Sequence, residues 1–242
     1  MSIIKYSFLI PYFNRAGQFH NTLVSLAHHY FNRSDYEVII SEDQKNVVDE
    51  KAHKELMGIV DFFKNKINIK VIEIDIHTWN PCIAFNRAAA ASVGEYVIVT
   101  NPECFHQVNV LGGLDKEFEN NPDSYVLCGC QTRKDCNLFI EKFEDLGGEE
   151  GIWFQHSVHR NAGFHFFGAL SRKKWDSVGG FDEDFVHGTS FEDADFRNRI
   201  RRVNIPFILR DDLLTIHINH SNLWVDPKLE EINRKTFQSK WD

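Results

Sequence analysis

Two kinds of hydrophobic pattern alternate along the first hundred residues of the chain. Short runs rich in β-branched residues indicate buried strands, and between them apolar residues recur every three or four positions, which is typical of a helix packed by one face. The predicted strands span residues 6–11, 36–41, 70–76 and 96–100. The helices between them carry apolar stripes at Phe19, Leu23, Leu26 and Tyr30, then at Val48, Ala52, Leu56, Ile59 and Phe63, and a third helix spans about residues 83–92. Repeated strand–helix–strand units predict an α/β fold with a mostly parallel central sheet.

This alternation weakens after residue 100. We expect a helix around Leu114, strands over 125–130 and 165–170, helices over 173–178 and 191–203, and strands near Ile208 and Ile216. Gly94 and Gly179 are placed to end two of the helices in the left-handed conformation. The segment over 145–163 holds glycines, aromatic residues and histidines without a regular period. Because loops often carry binding and catalytic residues, we expect this segment to contribute to a site.

Composition and charge limit the classes of partner. The 242 residues carry a net charge of −8, which argues against nucleic acid as the main ligand. The amino-terminal apolar run is interrupted by Pro11, so it fits neither a signal peptide nor a transmembrane segment. Five cysteines without a CxxC pair indicate free thiols in a reducing compartment. We therefore expect one cytoplasmic domain over residues 1–242.

The ends of three predicted strands carry the first candidate site. Ligands of open α/β sheets bind beyond the carboxyl ends of the strands. The first strand runs into Pro11, Tyr12, Phe13, Asn14 and Arg15, the second into Glu42 and Asp43, and the fourth into Asn101, Pro102 and Glu103. Aromatic residues and carboxylates at one edge suit a stacked base, a ribose and a metal held against phosphates. Taken singly, Asp43 could instead cap a helix, Phe13 could be core, and Asn101 with Pro102 could form a turn.

A second candidate site is the acidic segment over 182–195. Ser190 and Asp193 have the spacing of a capping box, so these acids could serve only the start of a helix. A carboxylate fixed at a helix amino terminus is also well placed to act as a general base. The apolar positions Phe196, Ile200 and Val203 would anchor this helix, so Glu192 and Asp193 would project from its open end. Both interpretations stay open at this point.

The third candidate consists of two histidines near the end of the chain. His217 and His220 would lie together on a helix but on opposite faces of a strand. Alternation of Leu214, Ile216 and Ile218 favours a strand, so the two imidazoles converge only if that strand ends near residue 219. They are either metal ligands or structural histidines. A further histidine cluster, His156, His159 and His165, lacks the carboxylate or cysteine pattern of a zinc site and is a weak metal candidate.

With these motifs in view, the sequence resembles the family 2 glycosyltransferases of the GT-A fold. FLIPYFNR resembles their first nucleotide-binding strand, YEVIISED the strand that ends in paired acids, and AFNRAAAASVGEYVIV the helix and strand before their Asp-x-Asp metal motif. GALSRKKWDSVGGFDEDF with FEDADFRNRI resembles the acceptor-side segment that ends in a catalytic Glu-Asp pair. The second half also resembles the carboxyl-terminal part of the β-1,4-galactosyltransferases. The nucleotide-binding residues expected on this basis are Pro11, Phe13, Asn14, Glu42, Asp43, Asn86 and Asn101, and the catalytic residues are Glu192 and Asp193.

The Asp-x-Asp position departs from the family, because it reads Asn101-Pro102-Glu103. We expect Glu103 to be a metal ligand, with His217 or His220 compensating for the missing carboxylate and Mn²⁺ or Mg²⁺ as the ion. The resemblance implies a nucleotide-binding half over about 1–103 merged with an acceptor-binding half over 104–242, in which the stretch from Trp153 to Phe167 shapes the acceptor site.

The reaction implied by this resemblance is the transfer of a sugar from a nucleotide diphosphate, expected to be a UDP-sugar, to an acceptor hydroxyl. Asp193 would act as base and the anomeric centre would be inverted, in the synthesis of a surface glycan or capsule. The alternatives are a retaining GT-A transferase and a non-catalytic nucleotide-sugar-binding protein.

Overall fold

The computed structural model describes residues 3–43, 50–74, 81–220 and 226–242. The strands are β1 (Tyr6–Tyr12), β2 (Tyr36–Asp43), β3 (Ile69–Ile74), β4 (Tyr96–Thr100), β5 (Cys104–His106), β6 (Tyr125–Lys134), β7 (Glu149–Gln155), β8 (Phe167–Ser171) and β9 (Phe207–Ile218). The α-helices are α1 (Ala16–Tyr30), α2 (Glu50–Phe63), α3 (Pro81–Ala91), α4 (Val110–Asn120), α5 (Arg172–Val178), α6 (Glu192–Arg202) and α7 (Pro227–Trp241). Within these ranges, no helix is long and apolar enough to cross a membrane.

All the strands belong to one sheet, ordered β3-β2-β1-β4-β8-β6-β9-β5, with β7 attached to β6. Strands β3, β2, β1 and β4 are mutually parallel. Tyr6 of β1 pairs with Tyr36 of β2 on one side and with Tyr96 of β4 on the other. Strand β8 runs antiparallel to both β4 and β6. This arrangement confirms the predicted α/β class. Because the chain adds β2 and β3 on one side of β1 and β4 on the other, the strand order reverses beside β1, where ligands of such sheets bind.

The hydrophobic core covers both faces of the sheet, as crossover helices require. On β1, Phe8 and Ile10 face the layer of α1, α2 and α4, whereas Leu9 faces the layer of α3, α5 and α6. The small buried residues Ala88 and Ala89 let α3 pack closely against the sheet. The two layers hold the carboxyl ends of β1 and β4 in a fixed relation.

Two predicted helix signals are wrong. Gly94 is not left-handed; a Cβ there would meet the Oγ of Ser7 at 2.5 Å, so glycine is needed for a close approach of the chain to β1. The capping box at Ser190 does not form, because α6 starts after Phe191, whose φ is 71° and whose side chain makes no cap hydrogen bond. The third signal is confirmed: Gly179 ends α5 with a φ of 81°.

Several elements differ from the predicted ones. Seven residues of the segment predicted as irregular form β7, which pairs with β6, and β6 itself continues to Lys134. The strands expected near Ile208 and Ile216 are one strand, β9. Strand β5 and helix α7 were not predicted at all. The predicted positions Val48 and Ile76 lie outside the described residues.

Candidate functional site

A cleft lies where the carboxyl ends of β1 and β4 meet. Leu9 of β1 pairs with Val99 of β4, so the residues that follow each strand reach the same edge of the sheet. The cleft is lined by Pro11, Phe13, Arg15, Pro81, Asn101, Pro102, Glu103 and His220. Four of these were predicted as nucleotide or metal contacts from the first and fourth strands, and His220 comes from the far end of the chain. The cleft therefore joins the two regions that the sequence analysis treated separately.

Glu103, His217 and His220 form a compact cluster at this cleft. Strand β5 holds one side of it, because Cys104 pairs with His217 of β9 and the backbone oxygen of Glu103 accepts a 2.9 Å hydrogen bond from the amide of Ile218. Strand β9 ends at Ile218, which meets the condition for the two histidines to converge. Oε1 of Glu103 lies 3.2 Å from Nε2 of His217 and 3.4 Å from Nε2 of His220.

The charge state of Glu103 is set by these two imidazoles. Burial by itself raises the pKa of this carboxyl, but hydrogen bonding and charge from His217 and His220 outweigh burial and lower its pKa to about 2. The carboxylate is thus ionised inside the protein. Its second oxygen, Oε2, is buried and has no hydrogen-bond partner within the described part of the chain, which is costly unless a ligand completes it.

The cluster fits a divalent cation. Carboxylate oxygens suit Mg²⁺ and Mn²⁺, and imidazole nitrogens suit transition-metal ions, so the mixed set is suited to a divalent cation. Ligands at right angles around an ion with bonds of about 2.1 Å are about 3 Å apart. The 3.2 Å and 3.4 Å separations between the atoms of Glu103, His217 and His220 are close to that value.

An aromatic wall connects this cluster to the loop over 156–166. The rings of Phe154 and Phe166 stack with centroids 4.5 Å apart, and both lie edge-on to the ring of His217. The backbone oxygen of Phe166 accepts hydrogen bonds from Oγ1 of Thr100 and Sγ of Cys104, both at 3.1 Å. The stretch for which an acceptor role was predicted is therefore docked on the end of β4, next to the cluster.

Glu192 and Asp193 open helix α6 and lie in different environments. Oε2 of Glu192 is enclosed without a hydrogen-bond partner among the described residues, and burial, together with the charge of Asp193, raises the pKa of Glu192 to about 8. The side chain of Asp193 is 39% exposed, and its Oδ1 lies 3.0 Å from Nε2 of His165. Two adjacent carboxyls held in unlike surroundings are suited to different roles in proton transfer.

Asp195, the third acid of this helix, holds the site in place. It is fully buried, and it accepts hydrogen bonds from Nε of Arg199 at 2.7 Å and from Nε1 of Trp241 at 2.9 Å. Nζ of Lys240 lies 2.8 Å from the same carboxylate. Because its lone pairs are used by residues of α6 and α7, Asp195 serves to fix the first turn of α6 rather than to bind a ligand.

Asn14, Glu42 and Asp43 are three further residues that were predicted to contact the nucleotide, and neither Asn14 nor Glu42 lines the cleft. Asn14 is exposed, with a φ of 46°, and it is not among the cleft residues, although its neighbours Phe13 and Arg15 are. Glu42 is fully buried, with its Oε2 2.7 Å from Nδ1 of His53 on α2, and it is not among the cleft residues. Strand β2 ends at Asp43, whose side chain lies outside the described part of the structure.

Asn86, which was predicted to contact the nucleotide, makes hydrogen bonds within the protein. Its Nδ2 donates to the backbone oxygen of Phe181 at 2.9 Å and to Oε1 of Glu183 at 3.0 Å, and its Oδ1 accepts from the amide of Phe181 at 2.9 Å. The amide group is thus occupied in tying α3 to the segment before α6. A contact of Asn86 with the nucleotide stays a prediction.

His165 lies in the stretch expected to shape the acceptor site, but the sequence analysis did not predict its contact with Asp193. It was grouped with His156 and His159, which lie in another cluster around Trp153. No regular spacing connects His165 to Asp193, which follows 28 positions later, so only the fold could bring them together.

Comparisons with known proteins are consistent with this architecture. A sequence profile described as glycosyl transferase family 2 matches residues 7–181. Poly(ribitol-phosphate) β-N-acetylglucosaminyltransferase TarS of Staphylococcus aureus (strain Mu50 / ATCC 700699) is 27% identical over 101 residues, which cover 42% of this chain and 16% of that protein. The matched part of the chain thus spans about a sixth of the length of the curated relatives. The matched profile ends before α6, so the resemblance of the second half to the β-1,4-galactosyltransferases stays a prediction.

Solved structures share the fold. The structure of residues 1–349 of S. aureus TarS in complex with UDP-GlcNAc has a TM-score of 0.70 at 17% identity and covers 96% of this chain and 65% of that one. The mannosyltransferase PcManGT from Pyrobaculum calidifontis, in complex with GDP-Man and Mn²⁺, has a TM-score of 0.62 at 14% identity over 89% of this chain and 57% of that one. These likenesses confirm the GT-A fold.

Proposed function

This chain belongs to glycosyl transferase family 2, and from that membership we propose that it transfers a sugar from a UDP-sugar to an acceptor hydroxyl, with inversion at the anomeric carbon. The observation that carries the proposal is the convergence of Glu103, His217 and His220 on a cleft that also holds Phe13 and Asn101. These candidate metal ligands lie beside the ring of Phe13 and the amide of Asn101, at the point where the strand order of the sheet reverses. Such a combination suits the binding of a nucleotide diphosphate.

Several side chains of the cleft contribute to donor binding in this proposal. Phe13 stacks on the base, and Asn101 hydrogen-bonds a ribose hydroxyl. Glu103, His217 and His220 would hold a divalent cation, which supplies positive charge against the diphosphate as it leaves. A UDP-sugar is supported by the TarS complexes with UDP and with UDP-GlcNAc, whereas PcManGT binds GDP-Man in the same fold.

Asp193 is the base of the proposed reaction. Its carboxylate takes the proton of the acceptor hydroxyl, the hydroxyl oxygen forms a bond to the anomeric carbon, and the bond from that carbon to the diphosphate oxygen breaks on the opposite side. Glu192 next to it is enclosed and has a pKa raised to about 8, so it carries a proton at neutral pH and does not compete with Asp193 for the role of base. A retaining enzyme would need no such base, and a non-catalytic binder would need neither acid.

Donor binding and acceptor binding fall to different halves of the chain in this proposal. Residues 1–103 bind the donor nucleotide and residues 104–242 bind the acceptor and supply the base, with Glu103 and His217 meeting at the boundary. A surface glycan built on the cytoplasmic side is the setting we favour, since the curated relatives are named for a poly(ribitol-phosphate) acceptor.

The test is a transfer assay on the purified chain with a panel of UDP-sugars and Mn²⁺, in which release of UDP is measured and the anomeric configuration of the product is read by NMR. Asp193→Asn should lower transfer by roughly 10² to 10⁴, the usual contribution of a general base, with UDP affinity kept. Asp184→Asn, an exposed acid of the same segment, is the matched control and should leave transfer unchanged.

Three outcomes would contradict separate parts of the proposal. A stably folded Asp193→Asn protein with wild-type transfer would remove the base assignment. Retention of configuration in the product would favour the retaining alternative. UDP binding without turnover of any donor would favour the non-catalytic binder.

A further inference from the structure

The imidazole of His165 is enclosed on all sides but one. Its side chain is only 4% exposed, and three phenylalanine rings from separate parts of the chain surround it. The centroid distances are 5.9 Å to Phe85, 4.9 Å to Phe181 and 5.6 Å to Phe196, with interplanar angles of 87°, 76° and 87°. Edge-to-face packing against three rings fixes the plane of the imidazole.

The open side of this cage faces the proposed base. Nε2 of His165 lies 3.0 Å from Oδ1 of Asp193, which is hydrogen-bond distance. A polar nitrogen buried among phenylalanines is costly unless it is paired, and a phenylalanine would fill the same space without that cost. The contact with Asp193 is therefore the feature that packing alone does not explain.

We propose that His165 is a positioning residue, which donates a hydrogen bond from Nε2 to Oδ1 of Asp193 and leaves the other carboxylate oxygen to receive the proton of the acceptor. This inference rests on the proposed function, in which Asp193 is the base. His165 keeps its own proton throughout, and no bond to it forms or breaks. A rigid third group that orients a base is a recurring arrangement in enzymes, and small misplacements of a reacting group are expensive in rate.

Two substitutions separate positioning from packing. His165→Phe keeps an aromatic ring in the cage and removes the donor, so kcat should fall about 10- to 100-fold, with the KM for the UDP-sugar and the melting temperature close to wild type. His165→Gln places an amide N–H donor at a similar reach and should recover most of that loss. If His165 only fills space, the order reverses: His165→Phe keeps kcat, and His165→Gln is the weaker and less stable variant.

The chain offers a matched control in His20 on α1. Its ring also lies among three phenylalanines, Phe62, Phe63 and Phe139, at 6.0, 5.4 and 5.6 Å, and it is not among the residues that line the cleft. His20→Phe is the same chemical change in similar surroundings. It should leave kcat unchanged, whereas His165→Phe should not.

A double substitution distinguishes failure of this inference from failure of the proposed function. Combining His165→Phe with Asp193→Asn should cost no more kcat than Asp193→Asn alone, because the histidine acts through the carboxylate. If Asp193→Asn abolishes transfer while His165→Phe keeps wild-type kcat, the role of His165 is overturned and the proposed function stands. If Asp193→Asn keeps wild-type transfer, or the wild-type protein turns over no donor, the base assignment is overturned and the role of His165 with it.

Discussion

At the scale of single residues, the carboxyl group of Glu192 is held in a protonated state by its surroundings. Its Oε2 is enclosed without a partner among the described residues, and the neighbouring Asp193 adds negative charge. Both effects oppose ionisation, burial being the larger, and they raise its pKa to about 8. Folding therefore favours the neutral form of Glu192, and its ionisation must cost folding free energy.

The first prediction follows from this pKa. A group whose pKa is raised in the folded state contributes stability below its ordinary pKa of 4.5, and that contribution is lost as the pH rises through about 8. Glu192→Gln has no proton to lose, so its free energy of unfolding should exceed that of the wild type increasingly from pH 5 to pH 9. Each pKa unit corresponds to about 1.4 kcal/mol, so the difference should be measurable in urea titrations.

The control for this prediction is Glu119→Gln, the same chemical change at an exposed residue of α4. Its stability curve should run parallel to that of the wild type over the same pH range. Parallel curves for Glu192→Gln as well would show that the Glu192 carboxyl ionises as freely in the folded chain as in the unfolded one.

The position of a side chain was predictable from the sequence where it depends on the strand that precedes it. Phe13 and Asn101 follow parallel neighbours, so their place at one edge of the sheet follows from topology alone. The hydrogen bonds of Asn86 were not predictable, because its partner, Phe181, is 95 positions away and binds through backbone atoms, which no sequence pattern reports. The contact of His165 with Asp193 was not predictable either, because no regular spacing connects the two residues. The convergence of His217 and His220 depended on where β9 ends, which the alternating pattern left open.

At the scale of elements, α7 fastens the segment from which α6 emerges. Asn233 is the buried residue of this helix, and its Nδ2 donates to the backbone oxygens of Phe185 and Ser190, each at 2.9 Å. Ser190 and Phe191 both have left-handed backbones, with φ of 64° and 71°. Such conformations persist in non-glycine residues only when neighbouring contacts determine them, so Asn233 helps to fix where Asp193 points.

The second prediction tests this clamp. Asn233→Ala leaves two backbone carbonyls without their donor and should lower the free energy of unfolding by about 1–3 kcal/mol. It should also speed hydrogen exchange over residues 185–195 and lower kcat more than it changes the KM for the donor. Asn120→Ala, which removes an exposed asparagine hydrogen bond on α4, is the control and should do neither. An Asn233→Ala protein with wild-type exchange over 185–195 would contradict the clamp.

Elements with a strong hydrophobic period were predictable, and those without one were not. Helix α7 buries only Asn233 among its fifteen residues, so it shows no apolar stripe; its start signals, Asp226 as N-cap and Pro227 in the first turn, were the available clue. Strand β5 has three residues, too few for a period. Strand β7 pairs with β6 through irregular register, and its Ile152 is exposed, which hides the alternation.

At the scale of the whole molecule, the candidate metal cluster is assembled from distant parts of the chain. Glu103 follows β4 near the middle of the sequence, and the two histidines lie more than a hundred positions later, His217 in β9 and His220 just after it. The pairing of β5 with β9 brings them together, with Cys104 opposite His217. Because these ligands come from both proposed halves, a cation bound there would link the halves, and binding of a nucleotide with its cation should stabilise the whole fold.

The last prediction is that UDP with Mn²⁺ raises the melting temperature more than GDP, CMP or ADP do. A ligand present at a hundred times its dissociation constant adds about 2.7 kcal/mol of stability, which differential scanning calorimetry resolves. Glu103→Ala should lose the part of the UDP effect that depends on Mn²⁺, because the only carboxylate of the cluster is removed. Asn101→Asp should enlarge that part by restoring an acid at the altered motif.

The quantity compared is the increase in melting temperature that UDP causes in each variant, so a lower starting stability of Glu103→Ala does not obscure the result. Glu119→Ala, an exposed acid remote from the cleft, should show the wild-type increment. Equal increments with Mn²⁺ and with EDTA in all of these proteins would remove the metal role of Glu103, and a larger increment with GDP than with UDP would remove the uridine assignment while leaving the fold and the family untouched.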